Sequence, residues 1–188
     1  MRIAIVGNSP ILLEKELGSE IDNHDIVVRF NRFITNGYEK HTGKKVDYWV
    51  LSWYWEPQSD FYLNMDLSHI LIAPRNSNIE LSKKTFDEKF KNKISFNDVT
   101  LINYDKYVKS IKKKLGTDKN PTTGFIGIEY FLQNFPDAEY DIYGFDFCKD
   151  PNNQHYFEHF ENKSIYHEVD KEEKYFWDVL NKKIKYHK

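Results

Sequence analysis

The sequence has a single cysteine, Cys148, in 188 residues. One thiol cannot form a disulfide within the chain, and this composition is typical of a reducing compartment. The formal charge is only −2, so the chain has no excess of positive charge to attract nucleic acid. No stretch approaches the roughly 20 consecutive apolar residues of a membrane-spanning helix. We therefore expect a cytoplasmic protein that has no transmembrane segment and binds no nucleic acid.

Motifs of several common enzyme classes are also missing. The first βα turn lacks the glycine-rich fingerprint of dinucleotide-binding enzymes, which argues against a dinucleotide-dependent oxidoreductase. The sequence contains no P-loop and no Gly-x-Ser-x-Gly, so the NTPase and hydrolase classes are disfavoured. It also has no Asp-x-Asp and no Cys/His cluster with zinc-ligand spacing. We therefore predict neither a metal site nor a cofactor.

Aromatic residues are abundant, at 16% of the chain. That much ring surface predicts a folded protein, although 30% of the residues are charged. The length fits one domain, which we place at residues 1–188. The carboxyl-terminal end is rich in lysine, with Lys182, Lys183, Lys185 and Lys188. We interpret it as a solvated tail, and the alternative is weak contact with an anionic membrane surface.

Short apolar runs alternate with segments of helical periodicity along the chain. The predicted strands cover residues 3–6, 25–30, 46–51, 69–73, 99–102 and 140–145. The predicted helices cover residues 11–17, 104–115, 123–132 and 171–182. Because the strands lack polar alternation, we expect a mainly parallel sheet that helices cover on both faces. The prediction is therefore an α/β fold with a single Rossmann-like domain.

Small and polar residues follow the predicted strands at the point where each strand ends. Gly7-Asn8-Ser9 follows the first strand, Asn31 closes the second and Ser52 closes the third. In open parallel sheets, ligands bind outside the carboxyl ends of the strands. Backbone N–H groups and the Asn8 amide could meet a phosphate or a ribose there. A plain turn in which Asn8 or Ser9 caps a helix accounts for the same residues.

Two further segments combine a predicted helix start with polar side chains. Pro121-Thr122-Thr123-Gly124 offers two hydroxyls at the amino end of an apolar helix, where N–H groups attract anions. An ordinary capped helix is the alternative explanation. Further along, His167 is followed five positions later by Glu172, and the neighbouring Glu168 and Asp170 suit the first turn of a helix.

Five fragments, in this order along the chain, resemble the sialylmotifs of eukaryotic-type sialyltransferases, which form a glycosyltransferase family 29-like group. They are Val6-Gly7-Asn8-Ser9 with Val28-Arg29-Phe30-Asn31, then Pro121-Thr122-Thr123-Gly124-Phe125, Tyr143-Gly144-Phe145, His155-Tyr156-Phe157-Glu158, and the pair His167 and Glu172. The resemblance implies the GT-A-like variant of the Rossmann-like fold that these enzymes have. It also implies transfer of sialic acid from CMP-sialic acid to a hydroxyl of a glycan acceptor.

The resemblance also implies roles for individual residues. It implies that His167 is the general base and that His155 contacts the donor phosphate. An imidazole suits both roles, because it titrates near neutral pH and its protonated form offsets the charge on departing CMP. The other residues implied to form the donor site are Asn8, Ser9, Asn31, Thr122, Thr123, Gly124, Gly144, Phe145, Tyr156 and Glu172. The implied reaction inverts the anomeric centre and needs no metal ion.

The chain departs from the family pattern in several places. Animal members have a membrane anchor and a disulfide between the large and small motifs, whereas this sequence has one cysteine. Pro10 and Phe157 stand where the motifs favour other residues. A CMP-linked keto sugar such as Kdo is an alternative donor, since it also carries a carboxylate beside the anomeric carbon. An alternative outside the enzymes is a module that binds CMP without catalysing transfer. No motif predicts the acceptor, the linkage or the oligomeric state.

Overall fold

Parallel strands form a seven-stranded sheet in the part of the chain that the structure describes. The structure is a computed structural model, and it describes residues 1–52, 69–90, 99–149, 155–158 and 166–187. The strands are β1 (Arg2–Val6), β2 (Ile26–Phe30), β3 (Tyr48–Ser52), β4 (His69–Ala73), β5 (Val99–Leu101), β6 (Glu139–Tyr143) and β7 (Ile184–His187). Their order across the sheet is β5-β4-β3-β2-β1-β6-β7, and each neighbouring pair is parallel.

Helices connect the strands and cover the sheet. The described α-helices are α1 (Gly18–Asp22), α2 (Glu39–Thr42), α3 (Ile79–Phe90), α4 (Ser110–Leu115), α5 (Thr123–Asn134) and α6 (Val169–Tyr175). A π-helical segment, Tyr104–Lys109, leads directly into α4. Another, Phe176–Leu180, continues α6 and is followed by the 3₁₀ turn Asn181–Lys183. The predicted helices at 104–115 and 171–182 are therefore confirmed as helical, although each contains a π-helical segment.

The central strand β1 marks the point where the chain changes direction across the sheet. From β1 the chain runs outward through β2, β3, β4 and β5, and it returns to the other side of β1 as β6. Ile5 lies opposite Val28 of β2 and opposite Ile142 of β6. At such a switch point, the connections that leave neighbouring strands diverge and open a crevice. The topology therefore favours a binding cleft beyond Val6 and Tyr143.

Apolar side chains cover both faces of the sheet. Ile5 of β1 packs in one cluster with Phe125 of α5, whereas its neighbour Val6 packs in another with Ile21 of α1. This alternation follows from the pleat of the strand, in which successive side chains point to opposite faces. A third cluster around Trp49 extends the core towards β4. The predicted parallel α/β sheet with helices on both faces is confirmed.

The prediction of a helix at residues 11–17 is wrong. A 3₁₀ turn covers Pro10–Glu14 instead, and α1 begins at Gly18, just after the predicted helix ends. Gly18 is buried, and a Cβ atom at this position would lie 1.9 Å from the carbonyl oxygen of Glu39. The glycine is therefore explained by the close approach of α1 and α2. Helical periodicity carries no information about such a tertiary contact.

The lysine-rich end also differs from its prediction as a solvated tail. β7 pairs with β6, so that Ile184 lies opposite Tyr140 and His187 lies opposite Tyr143. Ile184 is buried, whereas Lys185 is exposed, and a lysine suits an edge strand because its charge discourages pairing with other chains. The strand has only four residues, which is too short to give a clear periodic signal in the sequence.

We predict that Gly18→Ala destabilises the fold. The added methyl group collides with main-chain atoms of α2, and overpacking of this kind costs about 1–3 kcal/mol. Urea denaturation would measure the change in the free energy of unfolding. The control is Ser19→Ala at the next position, which is exposed and should change stability by no more than about 0.5 kcal/mol. Equal stability of the two variants would contradict the close packing of α1 against α2.

Candidate active site

A cleft opens at the carboxyl edge of the sheet, between the strand ends and the amino end of α5. Most of the residues predicted from the sequence line it. They are Asn8, Ser9, Asn31, Thr122, Thr123, Gly124, Gly144, Phe145, His155, His167 and Glu172. Residues that are far apart in the sequence therefore meet in one place, as expected for the carboxyl ends of neighbouring parallel strands.

Asn8 joins the turn after β1 to the end of β2. Its Nδ2 donates to the carbonyl oxygens of Phe30, at 3.1 Å, and Arg32, at 2.9 Å. These two bonds use both hydrogens of the amide, so the side chain can offer a ligand only its acceptor oxygen. Ser9 is buried beside it, and its Oγ accepts from Ile11 N at 3.4 Å, as an N-cap of the 3₁₀ turn. Ser9 N donates to Gly144 O, which ties the β1 turn to the β6 turn.

Asn31 has the opposite hydrogen-bonding pattern at the end of β2. Its Oδ1 accepts from the main-chain N–H of Ser52 at 2.8 Å, and its carbonyl oxygen accepts from Trp49 Nε1 at 2.7 Å. The backbone is left-handed at this residue, with φ 47°, a conformation that asparagine adopts more readily than most residues. The side chain can therefore offer a ligand the two hydrogens of its amide. Asn8 and Asn31 thus present complementary groups to the cleft.

Glycines allow the strand ends to approach each other beneath the cleft. A Cβ atom at Gly7 would lie 2.3 Å from the carbonyl oxygen of Gly144. Gly144 itself has φ +67° and would clash with Leu12 if it carried a side chain. At Gly124, a Cβ atom would lie 2.7 Å from the ring of Phe145. Larger residues at these positions would separate the β1 turn, the β6 turn and the amino end of α5.

A buried carboxylate holds the amino end of α5. Glu172 of α6 accepts from Thr122 N at 2.7 Å with Oε1 and from Thr122 Oγ1 at 2.6 Å with Oε2. Thr122 Oγ1 in turn accepts from Phe125 N at 3.2 Å and caps the helix. Burial raises the pKa of Glu172 to about 7, although the bonds from Thr122 oppose this shift. Glu172 therefore positions the Thr122 segment by connecting α6 to α5.

His167 has a defined tautomer in the cleft. Its Nδ1 lies 2.7 Å from the carbonyl oxygen of Asn120, so Nδ1 carries the hydrogen and donates it. In the neutral ring, Nε2 then carries the lone pair. Burial lowers the pKa of His167, and the positive charges of Arg75 and Lys119 lower it further. The ring is therefore suited to accept a proton at neutral pH.

His155 belongs to a short segment anchored at the β1 turn. Its Nδ1 donates to Glu158 Oε1 at 3.0 Å, and Glu158 Oε2 accepts from Arg32 at 2.5 Å. The ring stacks on Phe157, with 5.2 Å between centroids. Tyr156 N donates to the carbonyl oxygen of Asn8 at 2.9 Å, which fixes His155 at the rim of the cleft.

The structure does not bring the side chain of Tyr156 into the cleft. Its ring is buried against Tyr38, and its hydroxyl donates to the carbonyl oxygen of Ile34. Burial also raises the pKa of the hydroxyl. Tyr156 therefore anchors the segment that carries His155, and its predicted contact with the donor stays a prediction.

Arg29, which belongs to the sialylmotif-like fragment Val28-Arg29-Phe30-Asn31, is a structural residue. Its guanidinium is buried and donates to the carbonyl oxygens of Lys45, at 2.9 Å, and Thr42, at 2.7 Å. Burial lowers its pKa to about 10. The alternation of β2 turns this side chain away from the face covered by α5, on which its neighbours Val28 and Phe30 pack.

Sequence analysis missed one charged residue of the cleft, Arg75, which follows β4 after Pro74. Arg75 follows the carboxyl end of a strand, so the rule that drew attention to Asn8 and Asn31 could have found it. Asp146, beyond the turn at Gly144, is a second charged residue of the lining. Phe30, Phe125, Phe147, Cys148 and Val169 add apolar surface to the lining.

One group of acidic and histidine side chains, among the residues that the structure describes, is compact enough to hold a metal ion. It comprises Glu20, Asp141 and His187, and it lies outside the cleft. His187 Nε2 lies 2.6 Å from Asp141, which also pairs with the buried His24 at 3.1 Å and with Lys185 at 3.6 Å. The two histidines and the lysine account for the cluster as a network around the Asp141 carboxylate.

The sequence matches a known family over almost its whole length. The model for glycosyltransferase family 29 (sialyltransferase) aligns with residues 1–184. The chain belongs to this family. The resemblance drawn from the sialylmotif-like fragments is thereby confirmed. Asn8, Asn31, His155 and His167 are consequently residues of a family 29 fold, arranged around its central cleft.

Individual members of family 29 are similar to the chain over most of its residues. A human CMP-N-acetylneuraminate-beta-galactosamide-alpha-2,3-sialyltransferase 1 is 30% identical over 169 residues, which cover 84% of this chain and 48% of the relative. The pig protein of the same name is 28% identical and covers 84% of this chain and 47% of the relative. The chain thus spans about half the length of these curated relatives.

Solved structures of the family share the fold. A crystal structure of a mammalian sialyltransferase in complex with Gal-beta-1-3GalNAc-ortho-nitrophenol matches with a TM-score of 0.71 and 22% identity, covering 100% of this chain and 69% of the other. A second crystal structure of a mammalian sialyltransferase matches with a TM-score of 0.72 and 23% identity. Within the described residues, no helix is both long and apolar enough to span a membrane.

We predict that the Glu172 carboxyl makes stability depend on pH. Its pKa rises from 4.5 to about 7 on folding, so the folded state binds this proton more tightly than the unfolded state. The free energy of unfolding should therefore fall as the pH rises from about 4.5 to about 7. Relative to Glu172→Gln, the wild type should lose roughly 3 kcal/mol over this range. Urea denaturation at a series of pH values would measure the difference.

Asp170→Asn is the matched control for this experiment. Asp170 lies in the same helix and is exposed, so its removal should leave the pH dependence of the wild type in place. The role assigned to Glu172 is refuted if the stability difference between the wild type and Glu172→Gln stays constant across the pH series.

Proposed function

We propose that the chain transfers sialic acid from CMP-sialic acid to a hydroxyl of a glycan acceptor. Membership of family 29 supports this chemistry, and so do the names of the relatives, which specify CMP-N-acetylneuraminate as their donor. The observation that best supports the proposal is the tautomer of His167. Its Nδ1 donates to a main-chain carbonyl, so Nε2 of the neutral ring is the basic atom beside the cleft.

The donor would bind with its nucleotide along the strand ends. The Asn8 oxygen can accept from a ribose hydroxyl or a cytosine amino group, and the Asn31 amide can donate to an acceptor oxygen. The phosphate would lie between the amino end of α5, where N–H groups and the helix dipole favour an anion, and His155. A single phosphate carries less charge than a diphosphate, and these groups can offset it without a metal ion.

In the proposed reaction, His167 Nε2 removes the proton from the acceptor hydroxyl. The oxygen then attacks the anomeric carbon of sialic acid from the side opposite the phosphate. The new glycosidic bond forms as the bond to the phosphate breaks, and the electron pair leaves with CMP. This displacement inverts the anomeric centre. Protonated His155 would stabilise the charge that develops on CMP.

Two alternatives make different predictions about donor and turnover. A CMP-Kdo transferase would use the same cleft, since Kdo also has a carboxylate beside its anomeric carbon, but the names of the relatives favour sialic acid. A non-catalytic module would bind CMP without transfer. Incubation with CMP-sialic acid or CMP-Kdo and a panel of galactoside acceptors, analysed by mass spectrometry, distinguishes the three. Product from CMP-Kdo alone, or no product with any donor, would refute the proposal.

We also propose a cytoplasmic location, as the sequence predicted, with a nucleotide-sugar donor and a glycan acceptor as the binding partners. Cell fractionation followed by detection of the protein in the soluble or membrane fraction would test the location.

We predict that His167→Ala abolishes transfer while donor binding persists. Loss of the base should lower kcat by roughly 10²- to 10⁴-fold, because no other group would accept the proton of the acceptor hydroxyl. The CMP dissociation constant, measured by calorimetry, should change by less than about 3-fold, since a base acts on the acceptor and not on the nucleotide. Unchanged kcat would remove His167 from this role. His69→Gln, at the exposed amino end of β4, is the control and should keep full activity.

We further predict that transfer needs no divalent metal. The proposed phosphate partners are His155 and main-chain amides, so addition of EDTA should leave kcat within about 2-fold of its original value. The same assay with added Mg²⁺ or Mn²⁺ provides the comparison. A loss of activity in EDTA that either ion restores would contradict the proposed charge stabilisation.

A further inference from the structure

Asn120 joins two segments that border the cleft. Its side-chain Nδ2 donates to the carbonyl oxygen of Arg75 at 3.3 Å, in the segment that follows β4. Its own carbonyl oxygen accepts from His167 Nδ1 at 2.7 Å, just before α6. The side chain of Asn120 is therefore attached to one wall of the cleft, and its main chain contacts the histidine that we propose as the base.

The oxygen of the same side chain is unfavourably placed. Asn120 Oδ1 is shielded from solvent and has no hydrogen-bond partner among the residues that the structure describes. A buried carbonyl that loses its bonds to water and gains none in return lowers stability. Within the described part of the chain, it is the one buried side-chain N or O atom in this condition. Proteins retain such costs mostly at functional sites, so a need other than stability explains this amide.

No helix or strand fixes the direction of the Asn120 carbonyl. The residue lies between the end of α4 at Leu115 and the start of α5 at Thr123. It also precedes Pro121, and the helical conformation is disfavoured for a residue before proline. Contacts outside regular secondary structure must therefore orient the carbonyl. The bond from Asn120 Nδ2 to the main chain of Arg75 is such a contact.

Other bonds hold this loop independently of the Asn120 side chain. On one side of Asn120, Lys119 pairs with Glu168 at 3.3 Å. On the other side, the main-chain N–H and the hydroxyl of Thr122 both donate to Glu172. Removal of the Asn120 amide should therefore leave the loop attached to α6 and change the direction of one carbonyl.

The direction of this carbonyl determines which nitrogen of His167 is basic. A neutral imidazole carries its hydrogen on either nitrogen, and a carbonyl facing Nδ1 selects the form with the lone pair on Nε2. The bond also affects the charge of the ring. Burial lowers the pKa of His167, and the Asn120 carbonyl opposes this shift. A weaker bond would reduce the population of the useful tautomer and lower the pKa further.

We propose that Asn120 is a positioning residue for the base. Its side-chain amide holds its own carbonyl towards His167 Nδ1, and this keeps the lone pair of Nε2 available to the acceptor hydroxyl. The inference rests on the proposed function and adds to it a residue that acts through His167.

Long-range ¹H–¹⁵N correlation spectra of the folded protein measure the tautomer, because protonated and unprotonated ring nitrogens differ in ¹⁵N shift. In the wild type, His167 should carry its hydrogen on Nδ1. In Asn120→Ala, a second population with the hydrogen on Nε2 should appear. Comparison with His167→Gln identifies the His167 signals among the seven histidines.

Transfer kinetics supply the second readout of Asn120→Ala. The kcat with CMP-sialic acid and a galactoside acceptor should fall roughly 3- to 10-fold, as for loss of one ordinary hydrogen bond. The acidic limb of the pH profile of kcat should move to lower pH, because the pKa of the base falls. The dissociation constant of CMP should stay within about 2-fold of the wild-type value.

Asn134→Ala is the matched control. Asn134 lies at the far end of α5, where its Nδ2 also donates to a main-chain carbonyl, that of Tyr130, at 2.7 Å. Its replacement should leave kcat within about 2-fold and the His167 tautomer unchanged. In urea denaturation, Asn120→Ala should lose less stability than Asn134→Ala, because it also removes the unpaired Oδ1.

Three results would overturn the proposal. The first is an unchanged His167 tautomer in Asn120→Ala. The second is a lower kcat without a shift of the pH profile. The third is a parallel loss of stability, CMP affinity and kcat, which would show that Asn120 only maintains the fold. If the wild type transfers no sugar, the proposed function is wrong, whereas the spectra still decide whether Asn120 controls the His167 tautomer.

Discussion

The arrangement of the cleft depends on the buried bond between Glu172 and Thr122. It joins α6 to the start of α5 across 50 positions of sequence, with both carboxylate oxygens used. Burial of a carboxylate is unfavourable, which is why its pKa rises to about 7. This cost is offset because the Glu172 carboxylate lies at the amino end of α5. There, N–H groups have no partner within the helix and the helix dipole is positive. Through this bond, the segments that carry His167 and Thr123 take positions relative to each other that neither helix specifies alone.

The sheet imposes a second constraint on the cleft, because short polar side chains follow its strands at one edge. Asn8 and Asn31 have the same chemical group, yet the protein uses the donors of one and the acceptor of the other. What each can offer a ligand is therefore fixed by its position in the fold. Position in the fold also gives different surroundings to the two arginines near the strand ends. Arg29 is enclosed by main-chain carbonyls on one face, whereas Arg75 reaches the cleft from the end of β4.

Much of the fold could be predicted from the sequence, because uninterrupted apolar runs such as Ile3–Val6 are a strong signal for buried parallel strands. Short elements with few apolar residues gave no such signal, and β7 and α1 were missed for that reason. The order of the motifs predicted most of the cleft. It did not predict that the Tyr156 ring packs away from the cleft, since motif membership says nothing about side-chain direction. Arg75 lies outside every motif, and only its position after a strand marks it.

The central place of β1 has a consequence for synthesis of the protein. Its hydrogen-bonding partner on one side, β2, follows within about twenty residues, but its other partner, β6, begins at Glu139. On the ribosome, at about 5–20 residues per second, roughly 7–27 seconds would pass between synthesis of β1 and synthesis of β6. During this interval an apolar strand edge is exposed, and pairing across such a separation in sequence is intrinsically slow. The strand order therefore separates the synthesis of the central strand from the completion of its pairing.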